Sequence, residues 1–166
     1  MARSVAAEAF QETLSELGID ETDPELGDPR SLGRRGALLA VAGAIWGRHL
    51  GPLLNTRQVA ELLGVGTRQA VHDRVKRHRI LALPTGEREH AYPAFQFGET
   101  GQPYPAIASV LEAFAVARLS SHTIGSWFMT AQPLLDGLTP ARWIAEGRDD
   151  DRLIMAARRA AARTHR

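Results

Sequence analysis

The sequence predicts a mainly α protein: a helix–turn–helix carrying a short β-hairpin wing, followed by a small C-terminal helical bundle. Three observations lead there. Apolar residues recur at spacings of three and four through most of the chain. Between Asn55 and Lys76, two short stretches of that period meet at a glycine-bearing turn. Directly after them, two short β-rich runs flank Pro84-Thr85-Gly86-Glu87.

Each element follows in order. Phe10, Leu14 and Leu17 predict a first helix over 5–17, ended by Gly18. The acidic stretch 20–28, with Pro24 inside it, reads as a linker. Ser31 is placed to cap a second helix running to about His49. Its Ala/Leu/Val/Ile content suits burial, although Gly43 weakens it by about 1 kcal/mol. Gly51-Pro52 breaks the chain. Thr56 is the expected N-cap of a helix through Leu63, and Thr67 that of a helix from Arg68 to about His78, with Gly64-Val65-Gly66 as the turn. Ile80–Leu83 and His90–Phe97 are the expected hairpin strands. The polar turn region from Gly98 leads to a helix opened by Pro105 and reaching about Leu119, with Ile107, Val110, Leu111 and Phe114 on one face. Shorter helices are expected at 123–130 and 140–146, the latter capped by Thr139. Asp149 can cap a last helix from Asp150 to about Arg163.

Composition bounds the function. A chain of 166 residues, 44% hydrophobic and 23% charged, fits one domain or two small ones sharing a core, and argues against disorder throughout. The absence of cysteine excludes a disulfide framework, a thiolate zinc site, an iron–sulfur cluster and a cysteine nucleophile. The longest nearly unbroken apolar run, Ala37–Trp46, is about half of a bilayer span. It begins too far into the chain for a secretory signal, so a core helix, no membrane association and a cytoplasmic location are expected. Charge is segregated: 1–33 balances at −6, 34–90 at +6, 91–147 at −2 and 148–166 at +3. The basic middle suggests a polyanionic partner, and the acidic head is either its shield or a solvated arm.

The stretch Asn55–Lys76 carries the chemistry. Val59, Ala60, Leu63, Val65, Ala70, Val71 and Val75 have the apolar pattern of two helices packed across a tight turn. Ala60 is small where the second helix approaches, and Gly64 accepts a positive φ. In such a pair the N-terminal residues of the second helix face base edges, here Thr67, Arg68, Gln69, His72 and Asp73. Arg68 suits bidentate donation to guanine and Gln69 suits adenine. Arg57, Arg74, Lys76, Arg77 and Arg79 sit where phosphates need neutralising, and Arg88 near the wing tip joins them. The same pattern also fits a helix pair that merely packs, with its arginines on a solvated face. His72 and His78, six apart, do not share a ligand face.

With its Thr-x-x-Val-Ala-Glu-Leu-Leu-Gly-Val opening at Thr56–Val65, this run resembles the winged helix–turn–helix of MerR-type regulators and excisionases over about forty residues. The resemblance implies double-stranded DNA as a partner.

The second half is similar to the toxin-binding domain of Xre/MbcA/ParS antitoxins over roughly residues 91–163. The resemblance rests on Tyr92-Pro-Ala-Phe-Gln-Phe97, on Trp127 ahead of Leu135-Asp-Gly-Leu-Thr-Pro140, and on Gly147-Arg148-Asp149 leading into the last helix. It implies a partner: a RES-type, NAD-consuming toxin whose active-site cleft the domain obstructs. Arg148, Arg152, Arg158, Arg159 and Arg163 would then lie near that toxin. The same arginines also fit a cationic face near a helix C-terminus. Members of the Xre type carry an all-helical DNA-binding domain, whereas the motif here has a wing. The aromatic residues read equally as core, with Trp143 expected to pack on Trp127 and Phe128.

No nucleophile elbow, zincin motif, phosphate-cradling loop or dinucleotide fingerprint is present in the sequence, so neither an enzyme nor a cofactor is expected. Asp149-Asp150-Asp151 stabilises a helix start without an ion. The expected organisation is an acidic helix and linker (1–33), a winged helix–turn–helix (34–97) and a helical toxin-binding or dimerisation domain (98–166). The expected function is the antitoxin of a type II toxin–antitoxin pair that represses its own operon as a homodimer. A free-standing winged-helix regulator and a scaffold that uses the helix pair only for packing are the alternatives.

Overall fold

In the computed structural model the described residues are 8, 12, 15, 45–85 and 89–163. The chain divides into two compact units, Met1–Ile45 and Trp46–Arg166. In the first unit, Glu8, Glu12 and Ser15 are helical and exposed, at positions inside the helix predicted over 5–17. The remainder of that helix, the 20–28 linker and the helix start at Ser31 lie outside the described residues, as does the hairpin tip at 86–88.

The second unit is mainly helical around a small antiparallel sheet. Residues 46–50 end a helix, which Gly51 breaks at φ 75°. There follow β1 (Leu53–Asn55), α1 (Thr56–Leu62), α2 (Arg68–Lys76), β2 (Leu83–Pro84), β3 (His90–Pro93) and a 3-10 turn at Ala94–Gln96. The chain continues as α3 (Pro105–Ala115), α4 (Ser121–Phe128), a 3-10 turn at Pro133–Leu135, α5 (Pro140–Ala145) and α6 (Asp150–Arg163). No helix among the described residues is long and apolar enough to cross a membrane.

The sheet order is β1-β3-β2. β3 is central: Leu54 pairs with Tyr92, and Leu83 pairs with Ala91. Strand β1 was not predicted, because three residues wedged between Gly51-Pro52 and a helix start show no readable alternation. The expected hairpin is present with shorter strands, since the chain on both sides leaves the ladder early. On one side it coils into the 3-10 turn. On the other, residues 80–82 run beside the buried Gln96 side chain.

Two apolar clusters fill the unit. One joins Val59, Leu63, Val71, Ile80, Ala82 and Tyr92, tying α1 and α2 to the sheet. The other gathers Leu81, Leu83, Ile107, Val110, Phe114, Phe128, Trp143 and Leu153, with α3 packed along α6. The segment Ile80–Leu83 belongs to both, its even residues facing the first cluster and its odd residues the second. A period of two puts successive side chains on opposite faces, so this extended segment is the wall between the cores.

Further contacts set the helix–turn–helix in place. Gly98 and Gly101 fold the 98–103 loop, with Gly98 N–H donating to the Gln102 carbonyl and Gly101 N–H to Gly98. Gly101 has φ 76°, and a Cβ there would lie 2.7 Å from the Leu62 carbonyl oxygen. Only glycine lets this loop close on the end of α1.

Candidate nucleic-acid interface

The site is built from α1, the turn, α2 and the sheet. Asn55, rather than the expected Thr56, caps α1. Its side chain accepts from Gln58 N–H at 2.9 Å while the Gln58 side chain accepts from Asn55 N–H at 2.8 Å, a reciprocal capping box. Thr56 becomes the first helical residue, its hydroxyl 3.5 Å from that of Tyr92. Gly64 takes φ 65° in the turn, as its sequence position predicted, and Val65 N–H donates back to Ala60 at 2.9 Å. Thr67 caps α2 through its hydroxyl, which accepts from Ala70 N–H at 3.2 Å. The helix ends two residues before the expected His78, because His78 itself adopts φ 54°.

Val59 and Val71 are fully buried in the same cluster, so α2 has its apolar edge inward and Arg68, Gln69, Lys76, Arg77 and Arg79 exposed. Among the described residues Arg68, Lys76, Arg77 and Arg79 make none of the ion pairs present. Arg57 and Arg68 come together on one groove of about 500 Å³, lined also by Gln58, Thr85, Glu89 and His90. Arg57 is held by Glu61 at 3.1 Å, an exposed i,i+4 pair of small energetic weight.

Other predicted residues are differently engaged. Gln69 donates through Nε2 to Asp73 Oδ1 at 2.9 Å, so reading a base requires it to release that bond. Arg74 is half-buried and donates to the Ala70 carbonyl at 3.1 Å. The His72 ring is half-buried and meets His90 of β3 edge-on, with ring centroids 5.4 Å apart. His90 Nδ1 is buried with no hydrogen-bond partner among the described residues. The pairing of these two histidines across helix and sheet has no signal in sequence spacing, because only the strand register sets it. Arg88 lies outside the described residues. No group of three or more histidine or carboxylate side chains among those residues is gathered to hold a metal ion.

The five arginines of the C-terminal prediction divide into two sets. Arg148 and Arg152 lie over the Trp143 ring at 5.1 and 5.2 Å. Arg148 also pairs with Glu146 at 2.6 Å, and Arg152 reaches both carboxylate oxygens of Asp136. Asp136 sits at φ 55° in the turn beside Gly137. The Trp143 indole donates to the Asp149 carbonyl at 2.9 Å, pinning the start of α6. Its ring therefore serves arginines, whereas Trp127 packs edge-on to Phe114 and Phe128. Arg158, Arg159 and Arg163 are exposed on α6. Glu146 accepts from both Arg142 and Arg148; first the Arg142 bond and then the Arg148 bond hold its carboxyl below the ordinary 4.5.

No family model matches this chain, and no curated protein matches it. Among solved structures it is similar to the NMR structure of Rv2175c, with a TM-score of 0.47 and 23% identity, covering 68% of this chain and 78% of that one.

Proposed function

We propose that this chain is a sequence-selective binder of double-stranded DNA that acts as a transcriptional regulator in the cytoplasm, by binding and without catalysis. One observation carries the reading. The exposed cationic run Arg68, Lys76, Arg77 and Arg79 lies on and just after a helix whose opposite edge is locked into a core shared with a small sheet. A helix so held presents a fixed row of cations and an exposed N-terminal turn, which is what major-groove docking asks of a protein. Thr67 serves as the cap, leaving Arg68 as the leading candidate for a base contact and the later cations for phosphates.

Fluorescence anisotropy tests it, using a duplex from the gene's own upstream region against a scrambled duplex. With about six phosphate contacts, affinity should fall by roughly 10³ between about 50 and 200 mM salt. Arg68→Ala should cost about 1–3 kcal/mol and relax selectivity at one base pair, while Lys76→Ala should weaken all duplexes alike and lower the salt slope by about one. Equal loss on both duplexes for Arg68→Ala would remove that residue from base reading. No binding to either duplex would leave the helix pair as scaffold.

A second reading is favoured by α6, where Arg158, Arg159 and Arg163 stand exposed. In it the regulator is the antitoxin of a type II pair that represses its own operon, and its C-terminal helices hold a RES-type toxin. Co-purification with the product of the adjacent reading frame supports this reading, provided the complex is lost on neutralising those arginines.

A further inference from the structure

We infer that Arg118, in the turn between α3 and α4, is a further contact to the DNA backbone, carrying the cationic row at the end of α2 across onto the helical cluster. The assignment rests on the DNA-binding reading above and extends it to an element outside the helix–turn–helix. The two elements meet at one cleft of about 260 Å³, lined by Val75 and His78 from the end of α2 and by Ala115, Leu119 and Ser121 on either side of Arg118. Arg118 therefore stands close in space to Lys76, Arg77 and Arg79, and all four are exposed.

Charge around that cleft has one sign. The stretches 74–85 and 113–135 together hold five lysines and arginines and no aspartate or glutamate. The carboxylates that border them are engaged elsewhere: Asp73 accepts from Gln69, and Glu112 borders the groove between α3 and α6 with Arg158. Arg118, like Lys76, Arg77 and Arg79, makes none of the ion pairs present among the described residues. A surface that only meets water ordinarily intersperses both signs, whereas a patch of one sign across two elements complements a polyanion. The backbone adds an independent sign. Among the described residues three that are not glycine have positive φ, and two of them stand at this cleft, His78 at 54° and Arg118 at 50°. The third, Asp136, is fastened by Arg152. Five glycines take positive φ elsewhere without strain. At Arg118 the chain instead holds a strained backbone under a cation that pairs with no carboxylate of the described residues, as expected of a side chain that serves a bound partner.

Fluorescence anisotropy of the full chain on the upstream and scrambled duplexes, with urea denaturation of the same variants, tests this. Arg118→Gly relieves the strained φ, so its urea midpoint should equal or exceed that of the wild type. Its affinity for both duplexes should nevertheless fall about fivefold to tenfold at about 0.1 M salt, and its salt slope should drop by about one. Weaker binding by a protein at least as stable is an outcome that no folding defect imitates. Arg118→Gln, which removes the charge and keeps a side chain, should weaken binding alike, and Arg118→Lys should keep the wild-type slope. Unchanged affinity and slope in Arg118→Gly and Arg118→Gln would overturn the assignment and leave the helix–turn–helix reading standing. Loss on the upstream duplex alone would overturn the backbone contact in favour of base reading. No wild-type binding to either duplex would remove the DNA-binding reading, and this assignment with it.

Discussion

Gln96 has no solvent exposure, yet its side chain is polar. Its Oε1 accepts from Leu81 N–H at 2.7 Å, and its Nε2 donates to the carbonyls of Leu81 and Pro93 at 3.0 and 2.9 Å. Leu81 lies just before β2, so the amide takes the place of the neighbouring strand that would otherwise satisfy that backbone. Gln96→Ala leaves three buried backbone groups without partners and should cost about 3 kcal/mol, read from urea denaturation. A loss under about 1 kcal/mol would mean that water takes over the bonds. His78 is the opposite case, an exposed residue in a strained conformation. At φ 54° its Cβ crowds the backbone, while glycine takes that shape freely. His78→Gly should therefore stabilise the protein by about 0.5–1 kcal/mol, raising the urea midpoint without altering the slope.

At the scale of elements, caps and short-range pairs decide where helices start and which arginines stay available. The Arg142–Glu146–Arg148 cluster ties the end of α5 to the chain leading into α6. The carboxyl of Glu146 is lower in the folded chain than in the unfolded one, so the unfolded chain takes up the proton first as the pH falls. The stabilisation is thus complete above the ordinary value and is lost as pH drops through the lowered one. In an NMR titration the Glu146 midpoint should move up toward 4.5 in Arg142→Ala, and by less in Arg148→Ala, following the order of the two bonds. A midpoint that stays in place in both variants would show that neither arginine holds the carboxylate in solution. For α2, the exposed cations are a consequence of packing: once Val71 enters the core, the remaining positions of the helix have water on their side.

For Trp46–Arg166 as a whole, the decisive feature is the wall at Ile80–Leu83, all four residues buried. Ile80 and Ala82 serve the helix–turn–helix cluster, while Leu81 and Leu83 serve the helical one. Neither cluster can open without exposing one edge of that wall, so the two should unfold together. Leu81→Ala should cost about 2–5 kcal/mol. Its slowest amide hydrogens, near Val71 in one cluster and Leu153 in the other, should lose protection equally in hydrogen exchange. Loss confined to the α3–α6 side would make the helix–turn–helix an independent folding unit.

The mainly α class, the helix pair with Gly64 in its turn, the cap at Thr67, the proline-started helices and the presence of a hairpin were all legible in the sequence. They rest on local steric and hydrogen-bonding rules that act within a few residues. The row of cations after Arg68 was legible too, because composition needs no fold. Tertiary structure decided the rest. Strand β1 exists only because β3 pairs with it, and the contact between His72 and His90 exists only because the register sets it. Asn55 outcompetes Thr56 as a cap because Gln58 answers it. Arg148 and Arg152 are drawn onto Trp143 while Arg158 is left in solvent, a distinction invisible in a run of like residues. Such choices depend on which distant groups arrive within a few ångströms, and that follows from how the two cores close on their shared wall.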